Sequence, residues 1–177
     1  DAWPGWWRPA GRDVRAIVFA DVAGALKTTT AYALMWDLIR GDADPGRHHE
    51  RFRCATEATL LAPRDHAGRR TVFDPVRDLR GARAVLVDDV GYWREWFGVA
   101  DRHSAWHALV DHVYCRGLLL VLTTNFATDA DLREWIGPAA FSRLVDMSGV
   151  PITGGEAPSI LRSPTGVDHR LTPPGTS

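Results

Sequence analysis

Lysine is almost absent from this chain: of 21 basic residues, Lys27 alone is lysine and the rest are arginine. Cysteine is scarce as well. Cys54 and Cys115 lie far apart and have no partners at zinc-ligand spacing, which excludes a disulfide framework or a zinc ribbon and fits a reducing compartment. No apolar run approaches the roughly 20 residues needed to span a bilayer. No basic-then-apolar leader opens the sequence. No membrane association and a cytoplasmic location are therefore expected. Neither sign of charge is in excess: 21 basic residues face 22 acidic ones, net −1, so the chain lacks the bias of a polybasic surface peptide. What is present is 45% hydrophobic and 24% charged residues, a composition that excludes a disordered chain. The 177 residues suffice for one domain with a sizeable core and are too few for two comfortable ones.

The pattern along the chain alternates between two periods. Residues 1–14, with Trp3, Trp6 and Trp7 beside Pro4 and Pro9, read as an irregular segment whose aromatics pack on the core. Residues 15–20, 84–87 and 118–122 are short continuous apolar runs, suited to strands buried on both faces. Residues 52–61 form a weaker strand candidate, and 144–152 can hold a last strand. Between these runs, Ala31, Leu34, Met35, Leu38 and Ile39 make a helical stripe, as do Trp106, Leu109, Val110 and Val113. Asp129 can cap a further helix, and Gly137-Pro138 precedes another carrying Phe141 and Leu144. Strands alternating with helices predict an α/β fold, a mostly parallel five-stranded sheet covered on both faces. The core is expected over 15–154, with a loose C-terminal tail at 155–177.

Three polar clusters fall at the carboxyl ends of predicted strands, where ligands bind in such sheets. The first is Asp21-Val22-Ala23-Gly24-Ala25-Leu26-Lys27-Thr28-Thr29. An ammonium is a compact point charge that can lie along a phosphate chain, one role in which arginine is a poor substitute. A strand, a loop, Lys-Thr and a helix make a phosphate-binding arrangement: backbone amides of Gly24, Ala25, Leu26, Lys27, Thr28 and Thr29 cradle phosphates, and the Thr28 hydroxyl holds Mg²⁺. The glycine pattern departs, since Asp21 and Leu26 stand where glycines are usual. A leucine forced to positive φ costs about 1–2 kcal/mol.

The second cluster, Asp88-Asp89, ends an apolar run about 60 residues downstream. Asp88 can hold Mg²⁺ and Asp89 can polarise an attacking water; the plainer reading is that the pair ends a strand. The third is Thr123-Thr124-Asn125. The Asn125 amide can bond a γ-phosphate and its attacking water, or merely shape a turn. Arg143 can reach a neighbouring subunit's phosphate as a trans finger, or form a surface ion pair. His48-His49 has no partner at ligand spacing and reads as solvated. Arg69-Arg70 and Arg77 with Arg80 can touch nucleic-acid phosphates, although most such pairs are solvated surface.

Val85 to Gly91 as apolar residues then Asp-Asp, Tyr114 to Gly117, Leu120 to Asn125, and Gly137 to Leu144 together resemble the AAA+ P-loop ATPases of the DnaC-type helicase-loader and IstB-type transposition-helper branch, with a degenerate Walker A loop. The resemblance covers roughly residues 15–154 and is most specific in its second half. It implies a P-loop three-layer α/β/α sandwich and ATP with Mg²⁺ as cofactors. Lys27 and Thr28 match the Walker A pair, Asp88-Asp89 the Walker B pair, Asn125 sensor 1 and Arg143 the arginine finger. It also implies a homo-oligomer joined through Arg143, acting with a replicative helicase, a transposase or single-stranded DNA. Thr153 to Pro158 lacks the Gly-x-Asp-x-Arg often found there. Two competitors stand beside an ATPase of replication or transposition. One is a degenerate nucleotide-binding or assembly module without turnover. The other is a P-loop kinase of small substrates.

Overall fold

The computed structural model describes residues 14–20, 26–42, 48–61, 71–92, 99–149 and 159–162. Five strands, β1 Ala16–Ala20, β2 Phe52–Thr56, β3 Ala84–Val90, β4 Leu119–Thr124 and β5 Leu161–Arg162, form one sheet in the order β2-β3-β4-β1-β5. Every pairing is parallel. The helices are α1 Lys27–Arg40, α2 His48–Arg51, α3 Glu57–Leu61, α4 Pro75–Asp78, α5 Val99–Arg116, α6 Asp129–Ile136 and α7 Pro138–Ser148.

Strand alternation sorts the apolar runs onto two faces. Ile17, Phe19, Ala84, Leu86, Leu119 and Val121 pack under Ala31, Leu34 and Met35 of α1. Ala16, Val18, Val85, Val87, Leu120 and Leu122 pack against the other layer, where Trp106, Leu109, Val110 and Val113 of α5 meet α6 and α7. The predicted stripe of α5 is thus a buried face, whereas that of α1 is buried at Ala31, Leu34 and Met35 and half-buried at Leu38 and Ile39. The central strands read as continuous apolar runs because helices cover both sides.

Four local expectations change. The run 52–61 is strand only to Thr56; Glu57–Leu61 is helix α3. β2 lies at the sheet edge, half-buried, so its pattern is weak. The strand expected within 144–152 is instead the end of α7, which runs to Ser148. Buried Ala140, Leu144 and Met147 recur at helical spacing. The fifth strand falls at Leu161–Arg162, within the stretch 155–177 expected to be a loose tail and beyond the core end placed at 154. Thr128, not Asp129, is the N-cap of α6, in a reciprocal capping box with Asp131. The Asp129 carboxylate instead accepts from Ser159 Oγ (2.7 Å) and Ile160 N (3.1 Å) and so tethers the approach to β5. The expectations for Trp3, Trp6, Trp7, Arg69, Arg70 and residues 153–158, and for the side chains of His48 and His49, lie outside the described residues.

β1 and β4 are neighbours whose chains leave to opposite faces, β1 into α1 and β4 into α6. The crevice beyond their carboxyl ends is the topological switch point of the sheet.

Candidate functional site

That crevice gathers residues from three strand ends. Leu26 immediately precedes α1 with φ 60° and ψ 16°, the left-handed region, and supplies no side-chain cap. A branched apolar residue stands where the backbone favours glycine. Leu26 is 63% exposed, so its side chain contributes little burial in return. Lys27 follows as the first helical residue and is buried. Thr28 Oγ1 donates to Asp88 Oδ1 at 3.0 Å, joining the start of α1 to the end of β3 across 60 residues. Thr29 is exposed on the first turn of α1. Gly24 and Ala25 lie outside the described residues.

At the end of β3 the ladder to β4 slips: Val87 pairs with Leu122 but Val90 pairs with Thr124, leaving one extra residue on β3. Asp89 takes up the excess at φ 56°. The hydroxyls of β4 pin this bulge. Thr123 Oγ1 donates to Asp88 Oδ1 and accepts from Asp89 N at 3.0 Å. Thr124 Oγ1 donates to Val90 O at 2.9 Å. Asp88 is therefore a buried carboxylate holding two threonine hydroxyls, while Asp89 is turned outward. Burial and the like charge of Asp88 push the Asp89 carboxyl above its ordinary range, and the Lys27 ammonium opposes them. The same field raises the Tyr32 phenol, through burial first and then Asp88, Cys54 and Asp89.

Lys27, Thr28, Asp88 and Asp89 thus share one neighbourhood. Asn125 is exposed, one residue past Thr124, at the same sheet edge between β3 and β1. Arg143 is elsewhere. It lies midway along α7, where it donates to His107 (2.7 Å) and pairs with Asp111 (2.9 Å), both on α5. Within one chain it joins a surface ion pair and does not meet the acidic pair.

The donor set is hydroxyl and carboxylate oxygen, hard ligands that suit Mg²⁺ beside phosphate. Thr28 and Asp88 converge closely enough to share a hydrogen bond, so both fit a magnesium–nucleotide ligand. Among the described residues, no group of three or more His, Cys, Asp or Glu side chains forms a protein-only metal site. No described helix is long and apolar enough to cross a membrane.

Two parts of this site lay beyond the sequence reading. Thr123 lies in the third polar cluster, yet nothing in its spacing predicts its bond to Asp88. Glu57 falls within the weak strand candidate 52–61, and its spacing predicts no role for it. It is a buried carboxylate accepting three N–H donors, from Gly91, Trp106 and Trp135. Its only sequence signal is a lone acid in the mixed stretch 52–61.

No family model matches the sequence, and no curated protein is significantly similar to it. Among solved structures, a crystal structure of the DnaC helicase loader superposes with a TM-score of 0.55 at 15% identity, covering 77% of this chain and 76% of that one. The likeness shows the fold alone, an α/β sandwich built on a parallel sheet, as in that structure.

Proposed function

We propose that this chain is an AAA+ domain that binds ATP with Mg²⁺ and hydrolyses it in helicase loading or transposition. The observation that carries the reading is the Thr28–Asp88 hydrogen bond beside buried Lys27, at the switch point of a P-loop-class sheet. In this reading Lys27 and the amides around Gly24, Ala25, Leu26, Thr28 and Thr29 hold phosphates at the positive end of α1. Thr28 and Asp88 hold Mg²⁺, which, when bound, neutralises phosphate charge. Asp89 accepts a proton from the attacking water. Asn125 orients that water and contacts the γ-phosphate. Arg143 leaves Asp111 to serve a neighbouring subunit's nucleotide, so the active form is a homo-oligomer. The likeness to a helicase loader supports a replicative helicase as partner; a transposase and single-stranded DNA belong to the same reading.

The test is ATP–Mg²⁺ binding by wild type and Lys27→Ala. Loss of one charge-assisted bond of about 1.5–3 kcal/mol weakens binding about 10- to 100-fold. Equal binding by the two proteins, or none by either, overturns the assignment of the loop. One observation favours a second reading, a nucleotide-binding module without turnover: Leu26 holds the left-handed position with a branched side chain. Turnover measured with and without single-stranded DNA separates the two.

A further inference from the structure

The carboxylate of Glu57, at the start of α3, is enclosed by three donors brought from distant parts of the chain. Gly91 N donates to Oε2 at 2.9 Å, and Trp106 Nε1 and Trp135 Nε1 both donate to Oε1 at 2.7 Å. Arg102 stacks over the Trp135 ring at 3.9 Å and donates through Nε to Trp135 O at 2.8 Å. Phe126, next to Asn125, completes the ring of contacts. Its centroid lies 5.8 Å from that of Trp135, and a Cβ on Gly91 would stand 2.4 Å from Phe126 Cζ. Glu57 therefore ties the turn after β3 to α5 and α6, with Phe126 packed beside Trp135 and Gly91.

Burying a carboxylate is costly unless its lone pairs are filled. Burial pushes the Glu57 pKa up, while Gly91, the two indoles and Arg102 pull it down. Packing alone does not call for an acid here, since an apolar residue with phenylalanines at 106 and 135 fills such a space without desolvating a charge. What an apolar residue cannot do is grip Gly91 N. That amide lies two residues past Asp89, and the turn is closed by Tyr92 N donating to Asp89 O at 3.2 Å. The backbone at Asp89 is left-handed and held on its other side by Thr123. A residue in that conformation persists only when its surroundings over-determine it.

We propose that Glu57 is a positioning residue: by gripping Gly91 N it holds the acidic turn so that Asp89 faces the reacting phosphate. The proposal rests on the nucleotide reading above. A carboxamide cannot replace the carboxylate, because only one of its two heavy atoms accepts while donors converge on both. With its oxygen toward the two indoles, a glutamine presents an NH₂ to Gly91 N–H and releases the turn. Trp135→Phe, by contrast, removes one indole bond and leaves the Gly91 bond in place.

The test compares wild type, Glu57→Gln and Trp135→Phe by amide hydrogen exchange resolved over residues 88–92, and by ATP binding and turnover. In Glu57→Gln, exchange over 88–92 rises about tenfold or more relative to α1, because a buried amide has lost its acceptor. ATP affinity stays within about threefold, because Lys27 and Thr28 are untouched, and kcat falls about tenfold or more, a loss of transition-state positioning without loss of binding. Trp135→Phe lowers the melting temperature but leaves exchange over 88–92 and kcat within about twofold of wild type. Equal exchange over 88–92 in the two variants, or an unchanged kcat in Glu57→Gln, overturns the proposal. A wild type that binds no ATP, yet shows the exchange contrast, refutes the nucleotide reading and upholds the grip of Glu57 on the turn.

Discussion

Replacing Leu26 by glycine should stabilise this protein, contrary to the usual effect of removing an apolar side chain. Leu26 holds φ 60° and ψ 16° at the entrance to α1. An L-residue in that region bears a cost of roughly 1–2 kcal/mol. Its side chain is 63% exposed and makes no capping bond, so truncation gives up little packing. Glycine is also the better helix N-cap. Against this, the unfolded chain gains freedom with glycine, which takes back about 0.5–1 kcal/mol. The net is a gain of about 0.5–1 kcal/mol, or roughly 1–4 °C in a domain of this size. Thermal unfolding followed by far-UV circular dichroism, without nucleotide, measures it. Leu26→Ala is the control, because it keeps Cβ and hence the strain. If the glycine variant melts at or below the alanine variant, the left-handed backbone at 26 does not carry the cost assigned to it. A sharp rise in ATP turnover in Leu26→Gly would further identify this side chain as what holds hydrolysis back.

Three further outcomes follow from the geometry. Asp89→Asn should raise the melting temperature at pH 7: the Asp89 pKa is raised, so the fold disfavours the ionised acid above that pKa. The advantage should vanish as pH falls below the ordinary aspartate value of about 3.9, and a pH series of melts showing a constant difference would refute the cause. Gly91→Ala places Cβ against the Phe126 ring at φ +90° and should cost about 2–4 kcal/mol by urea unfolding. Adding Phe126→Ala should recover the steric part, and no recovery would show that the ring is not the obstacle. Arg143→Ala should change stability by at most about 1 kcal/mol, since its pair with Asp111 is partly exposed. It should abolish turnover alone, yet regain part of it when mixed with Lys27→Ala subunits; no regain would exclude action in trans.

The legible parts of the molecule are those whose information is local. Strands β1, β3 and β4 announced themselves as short apolar runs, and α1 and α5 as stripes at helical spacing, because burial on both faces or one face acts on a few consecutive residues. β2 blurred into α3 because an edge strand is half-buried and has no strong pattern. The end of α7 passed for a strand because Leu144-Val145 is apolar in either period, and only the packing of Met147 against the core settled which. The two-residue strand at Leu161–Arg162 is held by Asp129 and the edge of β1, neither of which a window around it contains.

The order of residues by itself determined that a lone lysine opens a helix after one buried strand, that two acids follow the apolar run of another (which continues past them to Val90), and that leucine stands where a phosphate loop expects glycine. These are consequences of side-chain type and spacing along one segment. Only the tertiary structure decided that Thr28 meets Asp88, that Thr123 pins the bulge carrying Asp89, that Arg143 rests on Asp111, and that Glu57 collects an amide and two indoles from three other places. Those contacts join residues 32 to 78 positions apart. Hydrogen bonds over such separations exist only once sheet order and helix packing have brought strand ends together, and no local period encodes them.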